Sequence, residues 1–226
     1  MKRSQINAYI EQAIQFFNEH RFCLPPFAFW TEEQWRNRGA EYDEIRDNML
    51  GWDLTDFGGG DFERLGLLLF TVRNGNLHNA RYPKPYAEKI MIVRENQITP
   101  YHFHWSKMED IINRGGGNLV IRLYNSLPDE SMDQKGAVTA FVDGRRVILA
   151  AGGTVVLTPG ESISLIQGQY HSFWGQPDHG LVMVGEVSQV NDDHSDNRFA
   201  VPMGRFPTIE EDVPKTHLLC TDYTAR

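Results

Sequence analysis

The stretch Tyr101-His102-Phe103-His104-Trp105-Ser106-Lys107-Met108-Glu109 decides how this chain is read. On a strand, residues i and i+2 face the same way, so His102 and His104 project two imidazoles side by side. Glu109 follows shortly after, far enough along to come round a turn and add a carboxylate. Downstream, the segment Gly153 to Leu157 is a strand that closes in the Thr158-Pro159-Gly160 turn, and Gly168-Gln169-Tyr170-His171 begins the next strand. His171 is therefore a candidate fourth ligand. Imidazoles with one carboxylate suit a borderline divalent metal: Mn, Fe, Co, Ni or Zn. A lone H-x-H pattern is weak in a chain with 8 His. A Glu and a Gly at fixed offsets (Glu109, Gly116), with the second Gly, Pro and His block, make it specific. His20, His78, His179, His194 and His217 lack such spacing and read as surface residues.

Strand signals surround these motifs. Leu67 to Val72 is a short apolar run closed by Asn74-Gly75, and Ile90 to Val93 and Leu119 to Tyr124 are further runs. Val138 to Val142 and Arg145 to Leu149 flank Asp143-Gly144, a pair suited to a type I′ hairpin turn. Thr154 to Leu157, Ser162 to Ile166, His171 to Trp174 and Leu181 to Val187 complete the set. Many short strands without intervening helices indicate a sandwich or barrel, not a parallel α/β sheet.

The chain before residue 66 has a different texture. Ile6, Ile10, Ala13, Ile14 and Phe17 recur at helical spacing, with Ser4 as a plausible N-cap. Leu24-Pro25-Pro26 stops the helix, and Thr31-Glu32-Glu33-Gln34 is a capping box that opens a second. Glu41 to Leu50 is a candidate third, before the Gly58-Gly59-Gly60 loop. The expectation is one domain overall: a helical N-terminal extension over 1–65 packed on a mainly β barrel over 66–226.

Composition narrows the function classes. The chain has 226 residues, with 22 Lys plus Arg against 30 Asp plus Glu and a net charge of −8. That balance argues against a nucleic-acid partner, which needs a basic footprint. No apolar run is long enough to span a membrane, and Glu11 and Gln12 interrupt any signal-peptide core. The two cysteines, Cys23 and Cys220, read as reduced cytosolic thiols, so the expected location is cytoplasmic; a bridge between them is the less favoured reading.

The two metal motifs together resemble those of the cupin superfamily, a small jelly-roll barrel in which three His and one Glu hold a metal. Here those are His102, His104, His171 and Glu109. Within the cupins the chain resembles the bacterial D-lyxose isomerase family. The resemblance is carried by Glu88 to Glu95, His102 to Trp105, Lys107 to Gly117, and Gly185-Glu186-Val187-Ser188 followed by Asn191-Asp192-Asp193. It implies a divalent metal, manganese foremost with Co, Ni, Zn or Fe as others. It also implies aldose–ketose interconversion such as D-lyxose with D-xylulose, a monosaccharide substrate and a homodimer. The other readings are an Fe(II)-dependent cupin dioxygenase and a non-catalytic sugar-binding cupin.

Aldose–ketose isomerisation through an enediol moves a proton between C1 and C2, so it needs a base near carbon and a cation near oxygen. Glu186 lies in the last strong strand with Val182, Val184 and Ser188 on its face, where apolar surroundings would raise its pKa and suit a proton shuttle. The bland alternative is a solvated carboxylate at the strand end. Lys107 is the candidate for anion stabilisation, or a solvated loop lysine; Lys89 beside an apolar strand is a candidate substrate contact. Asp193 and Arg198, in the polar loops at Asp192-Asp193 and Asp196-Asn197-Arg198, match sugar hydroxyls, or are acidic surface. Trp105 and Trp174 are aromatic walls for a sugar, or barrel core.

Overall fold

In the computed structural model of the chain, the spacing of Ile6, Ile10, Ala13 and Phe17 buries one face of a helix, α1 (Arg3–Glu19). The structure describes residues 1–193 and 195–223, so His194 lies outside it. Lys2, not Ser4, holds the N-cap position; Ser4 sits inside the first turn, where its amide and hydroxyl donate to Asp212. Pro25 and Pro26 lead into a single 3-10 turn, Pro26–Phe29. Thr31 caps α2 (Glu32–Arg36), its hydroxyl accepting from the Gln34 amide. The stretch expected as a third helix holds a 3-10 turn, Ala40–Tyr42, and the short α3 (Asp43–Asp47).

The strands are β1 (Gly51–Thr55), β2 (Leu67–Arg73), β3 (Tyr86–Val93), β4 (Thr99–Phe103), β5 (Glu109–Gly116), β6 (Leu119–Asn125), β7 (Val138–Val142), β8 (Arg145–Leu149), β9 (Thr154–Leu157), β10 (Ser162–Leu165), β11 (Gln169–Gly175), β12 (Val182–Gln189) and β13 (Arg198–Phe199). Among the described residues they form two sheets, β1-β2-β3-β12-β5-β10-β7-β8 and β13-β4-β11-β6-β9, with all neighbours antiparallel. This is the expected mainly β barrel. Asp143 (φ 48°) and Gly144 (φ 77°) are the two positive-φ residues that a type I′ turn requires between β7 and β8.

The barrel interior is filled from both sheets by Leu69, Met91, Ile111, Leu123, Phe173 and Val184, among others. A second core lies outside the larger sheet, where Ile6, Ile10 and Phe17 of α1 pack on Trp52, Phe70, Ile90, Ile92 and Met183. Strands β2, β3 and β12 are thus covered on both faces, which is why they read as continuous apolar runs rather than alternating ones. Gly116, the glycine of the first motif, has φ 86°, and a Cβ on it would fall 2.2 Å from the Leu181 carbonyl oxygen and 2.7 Å from Phe16. Only glycine lets the end of β5 pass this close to β12 and α1.

Both ends of the chain depart from the expected division. The first 65 residues are not helical throughout: β1 lies within them and pairs with β2 along its whole length. It gives no apolar run of its own and is framed by Gly51 (φ 109°) and the Asp56 to Gly60 loop, so nothing local announces it. At the other end the sheets finish with β13, and the tail returns to α1. There Arg3, fully buried, pairs with Glu211 at 2.7 Å and Asp222 at 3.1 Å. His217 is buried against Glu11 (Nε2 to Oε1 2.9 Å), and His20 is half-buried on Phe16, so neither is a plain surface residue. The tail carries the first onto α1 and Trp52, and the α1 C-terminus shelters the second. Cys23 is exposed, Cys220 is buried, and both are free thiols.

Candidate active site

Strand alternation decides which side chains enter the barrel. On β3, Ile90 and Ile92 face α1, so Lys89 and Met91 face inward. Register then places Glu186 of β12 directly opposite Lys89, and Ser188 opposite Glu109 at the start of β5. The facing sheet contributes His102 of β4 directly opposite His171 of β11, their ring centroids 4.1 Å apart. His104 lies just past β4, with its ring 5.1 Å from His102 and 5.6 Å from His171. Lys107 sits in the segment that crosses from one sheet to the other, between β4 and β5.

Each imidazole is held from behind. Nδ1 of His102, His104 and His171 donates to the carbonyl oxygens of Pro100 (2.8 Å), Asp196 (2.8 Å) and Gln169 (3.0 Å). That fixes the tautomer in which Nε2 carries the free lone pair. The candidate ligand atoms of the three lie within 4.8 Å of one another. Nε2 of His104 and of His171 is buried without a hydrogen-bond partner, while the Glu109 carboxylate oxygens stand 3.4 Å and 3.1 Å from them. Burial, with the neighbouring rings, pushes the His102 pKa well below its usual value, and burial also lowers that of His104 beside Lys107. Both are therefore neutral donors at pH 7. Oriented neutral imidazoles with orphaned, converging lone pairs and a carboxylate fit a divalent cation.

Next to this group lies a buried ionic cluster. The Lys107 ammonium sits 2.8 Å from Glu109 and 2.9 Å from Glu186. Lys89 stands 3.2 Å from Glu186, and Asn191 Oδ1 accepts from both Lys89 (2.8 Å) and Lys107 (3.1 Å). Burial alone would raise the carboxyl pKa values, but Lys107 holds Glu109 well below the usual range, and Lys107 with Lys89 holds Glu186 below it. The raised pKa expected for Glu186 is thus reversed. The strand parity was read correctly and its apolar face is present, but two ammoniums converge there, Lys89 from the neighbouring strand and Lys107 from the segment between β4 and β5. The reading of Glu186 as a solvated strand end fails as well, since the residue is buried. For Lys107 burial pulls the other way, and the two carboxylates more than offset it, raising its pKa.

The cavity that joins these groups is open to solvent at its mouth, and Lys89, Asp193, Lys107, Glu109 and Glu186 line it with His102 and His104. His171 stands behind the last two, against Glu109. Trp105 and Arg198, expected as substrate contacts, do not line it. Their side chains meet instead on Glu130, with Trp105 Nε1 donating at 3.1 Å and Arg198 Nε at 2.8 Å. Trp105 follows His104 out of the strand and turns to solvent, and Arg198 lies on an edge strand whose side chain leaves the barrel. Trp174 faces outward too, near Arg122. Asp193 does face the cavity, 2.9 Å from Arg205, which also binds Asp53; burial would raise its pKa, and Arg205 and Lys89 lower it. Residues not singled out in the sequence also line it: Phe57, Thr99, Phe199 and Arg205. Asn191 was visible only as part of a resembling block. Phe57, Phe199 and Arg205 come from irregular or edge segments with no pattern to mark them.

Comparisons with known proteins bear on the family and the fold. The family model described as D-lyxose isomerase matches residues 1–223. A D-lyxose/D-mannose isomerase of Serratia proteamaculans is 50% identical over 224 residues, 99% of this chain and 98% of the relative. One of Escherichia coli O157:H7 is 49% identical over the same share of both chains. Among solved structures, the L-ribose isomerase of Cellulomonas parahominis with L-ribose superposes with a TM-score of 0.60 at 15% identity, covering 93% of this chain and 98% of that one. The L-ribose isomerase of Geodermatophilus obscurus does so with a TM-score of 0.60 at 16% identity and the same coverage. At such identities these two establish the shared fold alone.

Proposed function

The chain belongs to the D-lyxose isomerase family, and from that premise we propose that this sugar aldose–ketose isomerase interconverts D-lyxose with D-xylulose, and D-mannose with D-fructose. In this reading His102, His104, His171 and Glu109 hold a divalent cation, manganese first among Mn, Co, Ni, Zn and Fe. The observation that carries it is the set of buried imidazoles tied at Nδ1 and turned onto Glu109, beside the Lys107–Glu186 pair in one cavity. A bound cation supplies Lewis-acid polarisation of the sugar carbonyl.

The protein's own side chains do the rest. Glu186, ionised at pH 7, takes the proton from C2 of the open-chain aldose and returns it to C1, while the hydroxyl proton passes from O2 to O1 in the enediolate. Its low pKa in the resting site reflects the grip of Lys107 and Lys89. When the Lys107 ammonium turns to the sugar oxygen on which negative charge develops, that grip loosens and Glu186 becomes a stronger base at the moment it acts. Lys89 and Asn191 hold the carboxylate and the Lys107 ammonium in place. Asp193 accepts from a sugar hydroxyl at the cavity wall. The apolar wall at Leu67, Leu69, Met91 and Phe173 keeps water from the carbon that exchanges its proton.

The test is a screen of aldoses with protein stripped of metal and reloaded with Mn, Co, Ni, Zn or Fe in turn. D-lyxose and D-mannose turning over, with solvent deuterium entering at C1 of the ketose formed and no oxygen uptake at an electrode, supports the reading. No turnover with any metal, or oxygen consumption, overturns it. The reading includes a homodimer, which the cupin resemblance implies and sedimentation measures. It also includes a cytoplasmic location, which the unbridged Cys23 and Cys220 thiols support and cell fractionation checks.

A further inference from the structure

Strand β4 carries one residue too many. His171 and Phe173 of β11 are two apart and share a face, yet they pair with His102 and Thr99, which are three apart. The extra residue is a β-bulge in β4, and bulges of this kind re-aim side chains beside active sites. Regular alternation would turn Thr99 and His102 to opposite faces; with the bulge both line the cavity. Thr99 is 2% exposed, and its backbone carbonyl is engaged by the Ser172 hydroxyl at 2.7 Å. Its own hydroxyl has no hydrogen-bond partner. Phe173, the partner of Thr99 across the strands, lines the same cavity, as do Leu67, Leu69 and Met91.

A buried hydroxyl left unpaired costs free energy that valine, of nearly the same shape, would not incur. Such a group persists where a ligand completes it. We propose that the Thr99 hydroxyl hydrogen-bonds a hydroxyl of the bound monosaccharide and is a specificity residue of this isomerase. The proposal rests on the cavity being the sugar site. The reading above gives the C1–C2 end of the sugar to Glu186, Lys107 and the cation, so the hydroxyl left for Thr99 is O3, O4 or O5. Sugars that lack this hydroxyl, or carry it with the opposite configuration, leave Thr99 unpaired and lose affinity for that reason.

Thr99→Val and Thr99→Ser test this. The Val variant should lose about five- to tenfold in kcat/KM on D-lyxose, the size of one neutral hydrogen bond, and the Ser variant should regain most of it. Metal content and the ligand-free Tm of the Val variant should be unchanged or higher, because no partner is lost in the free protein. Among monodeoxy sugars lacking O3, O4 or O5 in turn, one should react equally well with wild type and Thr99→Val, since its loss and the loss from the substitution are the same bond. An unchanged kcat/KM in Thr99→Val overturns the proposal. So does a loss accompanied by lower Tm or metal content, or one that is equal across all the deoxy sugars. If wild type turns over no sugar, it is the isomerase reading that fails. Calorimetric binding of an acyclic pentitol to metal-loaded protein then decides for Thr99, with weaker binding to the Val variant in its favour and equal binding against it.

Discussion

The buried charges at the chain ends and those inside the barrel differ in how they meet water. At the chain ends, Arg3 is fully buried, but its partner Glu211 is 48% exposed, so the clamp is solvated from one side. In the barrel, the side chains of Lys107, Glu109 and Glu186 are only 3%, 3% and 7% exposed. Buried ion pairs seldom add net stability over apolar packing, because the desolvation penalty rivals the Coulomb attraction. The tail clamp needs no further role than closing the termini over α1. The barrel cluster borders a cavity and three imidazoles, two of them with an unpartnered Nε2, and its charges serve chemistry in the proposed function. The contrast predicts that damage to the first cluster shows in stability and damage to the second in turnover.

The largest effect is expected from Glu186→Gln, which keeps the shape and removes the base: kcat on D-lyxose should fall by about 10²- to 10⁴-fold, with an unchanged circular dichroism spectrum. Wild-type turnover in that variant would falsify its role as the proton carrier. Next, His102→Ala and His171→Ala should each lose metal affinity by about tenfold or more, since first-contact ligands matter at least as much as the groups behind them. Elemental analysis after dialysis reads this directly, and full metal content in either variant removes that residue from the ligand set. Across the contrast, Arg3→Met should destabilise by about 3 kcal/mol, a Tm fall of roughly 6 to 12 °C. Its kcat at 25 °C should stay near wild type, and a large loss of kcat without loss of Tm would erase the distinction between the clusters.

Acid should act on the same contrast. The folded-state pKa of Asp193 lies below its unfolded value because Arg205 and Lys89 oppose the effect of burial. Its contribution to stability is therefore present above about pH 4 and is lost as the pH falls through the folded value. Denaturant titrations should show wild-type stability declining on the acid side and a flatter limb in Asp193→Asn; equal slopes would mean that the Asp193–Arg205 pair contributes nothing. The smallest effects belong to Trp105→Ala and Arg198→Ala, whose side chains meet Glu130 outside the cavity. Each should change kcat/KM by less than about twofold, as surface changes do, and a tenfold loss from either would return it to the sugar site.

The legible parts of the molecule are those where one strand or helix carries its own message. The apolar spacing of α1, the Asp143-Gly144 turn and the two histidine motifs are local, and each is found where it was expected. Lys89 and Glu186 could be placed inward because a two-residue alternation runs through β3 and β12. Errors began where the environment came from elsewhere. Glu186 sits on an apolar face, yet its pKa is lowered by lysines from a facing loop and a neighbouring strand. Trp105 and Arg198 have chemistry that suits a sugar, but the chain carries their side chains out of the barrel toward Glu130. Strand β1 was hidden because its burial depends on α1 and β2 rather than on any pattern in its five residues.

By itself, then, the sequence determined the fold class, the family, and the four candidate ligands, because periodicity and fixed motif spacing are properties of a single segment. Only the tertiary structure decided which charges oppose each other, which aromatic and basic side chains leave the cavity, and that a bulge in β4 turns Thr99 inward beside His102. Those facts depend on register between strands distant in sequence. In a low-dielectric interior it is such cross-strand neighbours that set the charge state and hydrogen bonding of each group.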